Sequence, residues 1–521
     1  FWLKSESRLW ALACCCSAPN SHGAHQGKCL SANMKRLYRN LAISGVVGIV
    51  AIVAGIFVLR QQKQKEVLGK PLLTRLQPKN LVDRESLQPM PAHAWPYRAS
   101  DVQGTGTVNR TTLKNLTKPA WTFYIDTLIF TTPVMDKAGN IYFAPLSGMI
   151  YSLDPNGKTR WKHKLLGTQP PTPAIVDELL ILSDSLGYGY GLSLQTGKVR
   201  WVLEIANQTG TDSWAVIAEQ GLAIFSQSDD EETGSGQLIA TDAGTGEERW
   251  IFSLNTSLHN VAPAFTDNGR ALVFVDSNAG LYKVDADTGK LLWSVPGYNW
   301  TIPEGPAKIY RSLAGGVQVY DGIVYSSGNP TFAAGIVRAH RVDTGELVWQ
   351  SKKFKEHVSN SGVVGMIDGV LTFICGYGFT PPLHLTLPTA RKPFISTMVA
   401  LNALTGEVLW TFKSPKWDED VAAGQRFIEL GVPNIPNSWS APTITGDGTV
   451  YVTWMGGVLF ALDGRTGKMI SSYTTEEGGH SQPVVGHYGE LVVACGCHVM
   501  LFRPCDDCVE HGLRWLLWFG D

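Results

Sequence analysis

A short pattern returns along the whole chain: apolar residues, usually an Asp or Asn, a Thr-Gly turn, three more residues and a Trp. The clearest copies are KVDADTGKLLW, ending at Trp293, and ALNALTGEVLW, ending at Trp410. Other copies end at Trp201, Trp250 and Trp349. SLDPNGKTRW, ending at Trp161, carries Asn-Gly in the turn, and ALDGRTGKMIS has Ser471 where Trp is expected. A unit that recurs every 40 to 61 residues specifies a repeat architecture, in which each unit buries its faces only against its neighbours.

Each copy reads as two short strands joined by a tight turn. Leu281 to Val284 alternates as a strand does, and Leu291-Leu292-Trp293 resumes after the turn. Asp285 can bond its own backbone. Gly289 supplies the positive φ that a Cβ resists, as do Gly197, Gly246, Gly345, Gly406 and Gly467 in their copies. The Trp is too large for an exposed hairpin. It is expected between units, with its indole N–H on a backbone carbonyl. Upstream of most copies lies a Pro-led segment with a Gly turn and an aromatic-rich strand, as in TTPVMDKAGNIYFAP and WSAPTITGDGTVYVTW. That adds two strands and makes each unit a four-stranded sheet.

The repeat aromatics stand at 121, 161, 201, 250, 293, 349 and 410, followed by Ser471. Trp121, in NLTKPAWTF, looks like a fourth strand with no first three before it. His480 to Pro504 looks like strands with no fourth. The expected fold is therefore all-β, an eight-bladed propeller whose N-terminal strand completes the last blade; seven blades with a loose strand is the alternative. About 51 residues per blade suits this architecture, and closure removes exposed sheet edges.

The repeat resembles the pyrroloquinoline-quinone-type (PQQ-like) β-propeller repeat. The segment AWPYRASDVQGTGTVN, residues 94 to 109, also resembles the Trp-Pro-x-x-Arg lead-in of such propellers. The resemblance covers residues 94–504 and implies one of three roles: quinoprotein dehydrogenase, scaffold lipoprotein of outer-membrane β-barrel assembly, or membrane-anchored propeller of unassigned role. PQQ with Ca²⁺ is the cofactor it would imply. Those dehydrogenases hold the quinone on the propeller axis with Ca²⁺, an Asp base and usually two adjacent Cys. Here adjacent Cys occur only at Cys14–Cys16, outside the propeller, and no acidic residue matches the calcium or base motifs. Asp418, Glu419 and Asp420 cluster in an insertion that reads as a solvated acidic loop.

Ahead of the propeller, residues 1–33 lack an initiator Met and hold four of the nine Cys. They read as an over-extended gene start before Met34, or as a targeting presequence. Residues 34–40 form a basic flank. Residues 41–59 contain no charge and match a bilayer-spanning signal anchor in length. Basic residues on both sides leave its orientation open. Residues 60–93 read as a polar linker, and 505–521 as a C-terminal tail. A formal net charge of −1 without a basic block argues against nucleic-acid binding.

Alignment of the copies places Thr131, Thr132, Gln169, Thr172, Trp214, His259, Asn260, Asn360, Trp439 and His480 just before the innermost strands. There they face the central channel, as a small polar or sugar-like ligand site or simply as a water-filled mouth. Cys495, Cys497, Cys505 and Cys508 could hold Zn²⁺ or pair as disulfides; the spacing puts Cys495 and Cys497 on one face of a strand. Sequons at Asn109, Asn115, Asn207, Asn255 and Asn299 would be glycosylated in a eukaryotic lumen. The expected protein is thus an anchored, monomeric propeller facing a non-cytosolic compartment, binding a protein partner or small ligand. Insertions at 301–315, 380–394 and 413–437 would carry the contacts. A PQQ-dependent alcohol or sugar dehydrogenase is the alternative.

Overall fold

A computed structural model describes residues 93–206, 215–227, 236–258, 261–297, 316–331, 334–358, 360–378, 393–419, 421–424 and 438–504. The anchor run at 41–59 lies outside these residues, and no described helix is long and apolar enough to cross a membrane.

Eight antiparallel sheets form among the described residues, and all but the last run in chain order from the inner strand outwards. Blade 1 consists of Val134–Met135, Ile141–Phe143, Met149–Leu153 and Thr159–Lys164. Blades 2 to 7 start at the inner strands Ala174–Val176, Ile217–Glu219, Ala264–Thr266, Val317–Tyr320, Val363–Ile367 and Thr443–Ile444. They end at the outer strands Val199–Glu204, Glu248–Ser253, Leu291–Val295, Leu347–Gln350, Val408–Lys413 and Met469–Thr474. Blade 6 has a fifth, two-residue strand, His357–Val358, which shares Val370–Gly378 with the inner strand. Blade 8 takes Val484–Val485, Leu491–Cys495 and His498–Phe502 from the C-terminal end, and its outer strand is Trp121–Tyr124. Trp121 pairs with Leu501 and Tyr124 with His498, so the ring is closed by strands from opposite ends of the described chain. The ring has eight blades, not seven and a loose strand.

The hydrophobic core lies between blades. Tyr142 and Ile150 of blade 1, for example, cluster with Leu180, Tyr190 and Leu192 of blade 2. Inner strands are mostly buried and outer strands are not. Ala264–Thr266 is buried throughout, whereas Leu291–Val295 is largely exposed.

One contact repeats at the blade boundaries. The indole N–H of Trp250 donates to Ala286 O of blade 4 at 2.8 Å. Its ring lies against Gly289 of the same turn, where a Cβ would come within 2.7 Å of it. That glycine has φ +67°, so sterics and backbone both require glycine. Asp285 holds the turn, accepting from Thr288 N at 2.9 Å. Equivalent indole bonds run from Trp161 to Leu194 O, Trp201 to Ala243 O, Trp293 to Val342 O, Trp349 to Ala403 O and Trp410 to Gly464 O, all between 2.6 and 3.1 Å. Gly197, Gly246, Gly345, Gly406 and Gly467 meet those rings in the same way. Trp121 of blade 8 docks on blade 1, bonding Pro155 O at 3.0 Å and facing Gly157.

Ser471 departs from the pattern because of ring closure. A Trp there would dock on the turn between the third and fourth strands of blade 8. No such turn exists, because the fourth strand comes from the N-terminal side. Residues 113–116 occupy that place: Ser471 Oγ accepts from Leu116 N at 3.0 Å and donates to Lys114 O.

Replacing a docked indole leaves a cavity and an unmade bond, so Trp250→Ala is expected to cost about 3–5 kcal/mol. Ser471→Trp is also expected to destabilise, since no glycine turn receives the ring. Urea unfolding of both variants against the parent checks this; a Ser471→Trp protein more stable than the parent would refute the account.

Candidate functional site

The lead-in strap, residues 94–110, crosses one end of the axis and meets the blades in order. Trp95, fully buried, pairs with Met135 of blade 1 through two backbone bonds of 2.9 and 2.8 Å. Pro96 O accepts from Ile175 N of blade 2, and the Tyr97 hydroxyl donates to Ala218 O of blade 3 at 2.7 Å. The carbonyls of Val102, Gln103, Thr105 and Gly106 accept from Phe265, Val319, Val364 and Ile444 of blades 4 to 7. Arg110 reaches Val485 O of blade 8 at 3.2 Å. Inner-strand amides that would face an empty channel are thereby satisfied.

Arg98, on this strap, is buried. Its position is one residue earlier than in the lead-in pattern. The guanidinium donates to Ser361 Oγ at 2.6 Å and to Asn360 Oδ1 at 2.7 Å. Burial pulls its pKa down to about 9, which leaves it cationic at neutral pH. Asn360 in turn donates to Trp439 O at 3.3 Å. Burial raises the pKa of Asp101 on the same strap, against hydrogen bonds from Thr105. A small cavity of about 20 Å³, room for about one water molecule, lies between the strap and blades 3 to 5; Arg98, Asp101 and Gln318 contribute to its wall. It is far below the roughly 300–1,000 Å³ of small-molecule sites.

Several sequence-expected channel residues meet one another there, and they are largely buried. Thr132 N donates to Thr172 Oγ1, and Gln482 N donates to Thr132 Oγ1 at 3.3 Å. Ser481 Oγ donates to Thr131 O at 2.6 Å. Trp439 is fully buried and packs against Phe412, Trp454 and Phe460, inside the core of blades 6 and 7 and not as a platform on the axis. His480 sits edge-on to Phe130 at 5.3 Å, and burial lowers its pKa to about 4. Gln169 is held by its backbone N–H on Leu146 O, with φ +50°. Trp214, His259 and Asn260 lie outside the described residues.

Sequence reading missed Arg98, Ser361, Ser481 and Gln482. The first was visible in the lead-in but carried no sign of its burial. The others stand one or two residues from positions that were marked.

The C-terminal cysteines differ from expectation. Cys495 ends one strand, and Gly496, at φ +50°, turns the chain so that Cys497 lies in the hairpin turn. The two therefore do not share a strand face. Cys497 packs with Leu128, Ala422 and Met455, while burial pushes the Cys495 thiol up to about 12. Cys505 and Cys508 lie outside the described residues, as do Asp420, Asn207 and Asn299. Asp418, Glu419, Asn109, Asn115 and Asn255 are exposed.

Among the described residues, no three His, Cys, Asp or Glu side chains gather closely enough to hold a metal. Thr131, Thr132, Thr172 and Asn360 are engaged with neighbouring polar groups, whereas the buried Gln318 Oε1 and Gln482 Oε1 have no hydrogen-bond partner among the described residues. Among the described residues no carboxylate cluster stands there to hold Ca²⁺.

The connections divide by face. Turns between first and second strands and between third and fourth strands are two to five residues long, and they bond to each other, as in Ala243 N to Gly221 O and Gly464 N to Gly448 O. The strap lies on this face. The strands joined by the long connections, from second to third strand and from blade to blade, end on the opposite one.

The sequence profile of the family described as outer membrane protein assembly factor BamB matches residues 115–230, 218–373 and 396–500. Tetrathionate hydrolase of Acidithiobacillus ferrooxidans is 24% identical over 362 residues, covering 68% of this chain and 54% of that protein. Quinoprotein glucose dehydrogenase of Escherichia coli is 22% identical over 292 residues, covering 46% of this chain and 35% of that protein. The chain thus spans between about a third and about half of these relatives. Among solved structures, quinohemoprotein alcohol dehydrogenase of Comamonas testosteroni superposes with a TM-score of 0.61 at 13% identity, covering 79% of this chain and 80% of that one. BamB of Moraxella catarrhalis superposes at 0.53 and 16% identity, covering 74% and 100%. At such identities the superpositions speak for the fold.

Two outcomes follow from the buried groups. Arg98→Met removes the donors to Asn360 and Ser361 and is expected to cost about 3 kcal/mol, with faster proteolysis within residues 94–110. His480 and the buried His340 both have folded pKa values near 4, below the unfolded value of about 6.5. The unfolded chain therefore takes up these protons first, and stability is lost as pH falls from about 6.5 to 4. Denaturation midpoints at pH 7, 5.5 and 4 should show the loss, and His340→Gln should flatten it.

Proposed function

We propose a role from one established premise: the chain belongs to the PQQ-like β-propeller family. It acts as a membrane-anchored binding or scaffold propeller in a non-cytosolic compartment, held by the apolar run at 41–59. The observation that carries this reading is the division of faces. The strap bonds all eight blades at one end of the axis, and the strands that flank the long connections end at the other. A surface of variable loops on a rigid ring suits recognition of a protein partner. The match to the BamB family profile supports the same reading.

The relatives named as quinoprotein dehydrogenases favour a second reading, oxidation of an alcohol or sugar with bound quinone. Calorimetric titration with PQQ and Ca²⁺ separates the two. No stoichiometric binding is expected; one quinone per chain together with dye-linked oxidation of glucose or ethanol would overturn the scaffold reading. Replacing residues 425–437 by a short Gly-Ser link should lower partner recovery from cross-linked membranes roughly tenfold, about 1.4 kcal/mol, without changing the melting temperature. Undiminished recovery would remove that loop from the contact.

A further inference from the structure

The outer rim of the ring is made of two unlike arcs. In seven blades the outer strand carries a β-bulge just ahead of the repeat aromatic or Ser471. In blades 1 to 3 the bulged residue is Arg160, Arg200 or Arg249. In blades 4 to 7 it is Leu292, Val348, Leu409 or Ile470, and these are 52, 48, 43 and 41% exposed. The residue before each of these four, Leu291, Leu347, Val408 and Met469, is exposed as well. A single exposed leucine needs no explanation. Exposed aliphatic pairs at one equivalent position on four adjacent blades form an arc of recurring apolar side chains, and exposed apolar surface gathered in this way marks an interaction surface.

Three observations identify what covers it. The pairs follow directly on the turns between third and fourth strands, so the arc borders the strap face. The chain also enters the propeller there: His93 Nδ1 accepts from Lys137 N, and Trp95 pairs with Met135 beside the first turn of blade 1. The described chain therefore begins on that face, and the uncharged run 41–59 precedes it in the sequence. Finally, the residues immediately before the four pairs are Lys290, Glu346, Glu407 and Lys468. Two charges of each sign cancel, so the arc offers no electrostatic preference for an acidic or basic partner.

We propose that this aliphatic arc seats the propeller on the apolar boundary of a lipid bilayer, with the long connections facing away from it. This rests on the anchored reading above. The cancelled charges imply that neutral phosphatidylcholine suffices and that anionic lipid adds little. Shallow insertion of aliphatic side chains supplies the contact.

The test uses the full chain in phosphatidylcholine vesicles, with cysteines outside residues 93–504 changed to serine. An environment-sensitive fluorophore is placed at Leu409→Cys, Leu292→Cys or Arg200→Cys. Blue-shifted emission quenched by acyl-chain nitroxide lipid is expected at 409 and 292 and not at 200. At 292 the quenching should fall at least severalfold when Leu409→Lys and Ile470→Lys are added. Equal signals at 200 and 409 overturn the proposal, and so does a blue shift without vesicles that grows with protein concentration, which would mean that a second copy covers the arc. A chain that resists alkaline extraction yet shows no quenching at 409 or 292 keeps the anchor and loses the arc. If alkaline wash releases the chain, the anchor reading fails. The released protein is then floated with fresh vesicles: flotation abolished by Leu409→Lys with Ile470→Lys still supports the arc, and failure to float overturns it.

Discussion

The docking of each repeat Trp on the turn of the next blade is the contact on which the rest of the ring depends. A four-stranded blade cannot bury its faces alone. The indole fills the gap between blades, and its N–H satisfies a turn carbonyl that would otherwise be left in a dry interface. Because the ring stacks directly on a glycine, the requirement couples two residues 36 to 57 positions apart. Ser471 shows the coupling from the other side. Where closure removes the receiving turn, the aromatic is absent and a hydroxyl binds the strand that has taken its place.

Closure at the rim is matched by closure at the axis. The strap bonds each blade near the centre, where eight inner strands converge and their edges would otherwise be open. Arg98 adds side-chain bonds to that seal. A buried guanidinium is tolerable when its donors are met by fixed oxygens, and Asn360 and Ser361 are fixed by the inner strand that follows them. The two faces of the ring therefore have separate duties. The short-turn face is consolidated, and length variation is left to the other.

The blade count was legible because it rests on covalent spacing and on a turn whose chemistry admits few residues. The axial site was less so. Thr132 bonds to Thr172 and Asn360 to Arg98, contacts that alignment of the copies could not foresee, since it does not tell a lining residue from a packed one. Trp439 is the instructive case. It holds the same position in its unit, yet its ring turns into the core because Gly376 opposite leaves space that a Cβ would fill. Cys495 and Cys497 were misplaced for a similar local reason: a glycine between them makes a turn where a continuous strand was read.

The sequence alone determined the unit, its turn, the number of blades and the out-of-order strand, since periodicity and turn stereochemistry act over a few neighbouring residues. The tertiary structure decided what the units do together. Only in three dimensions does the strap pass all eight blades, Arg98 meet Asn360 across more than 260 residues of chain, and the aliphatic pairs come to stand exposed at one position on four adjacent blades. These contacts depend on the angle at which whole blades meet, and no local pattern encodes that angle.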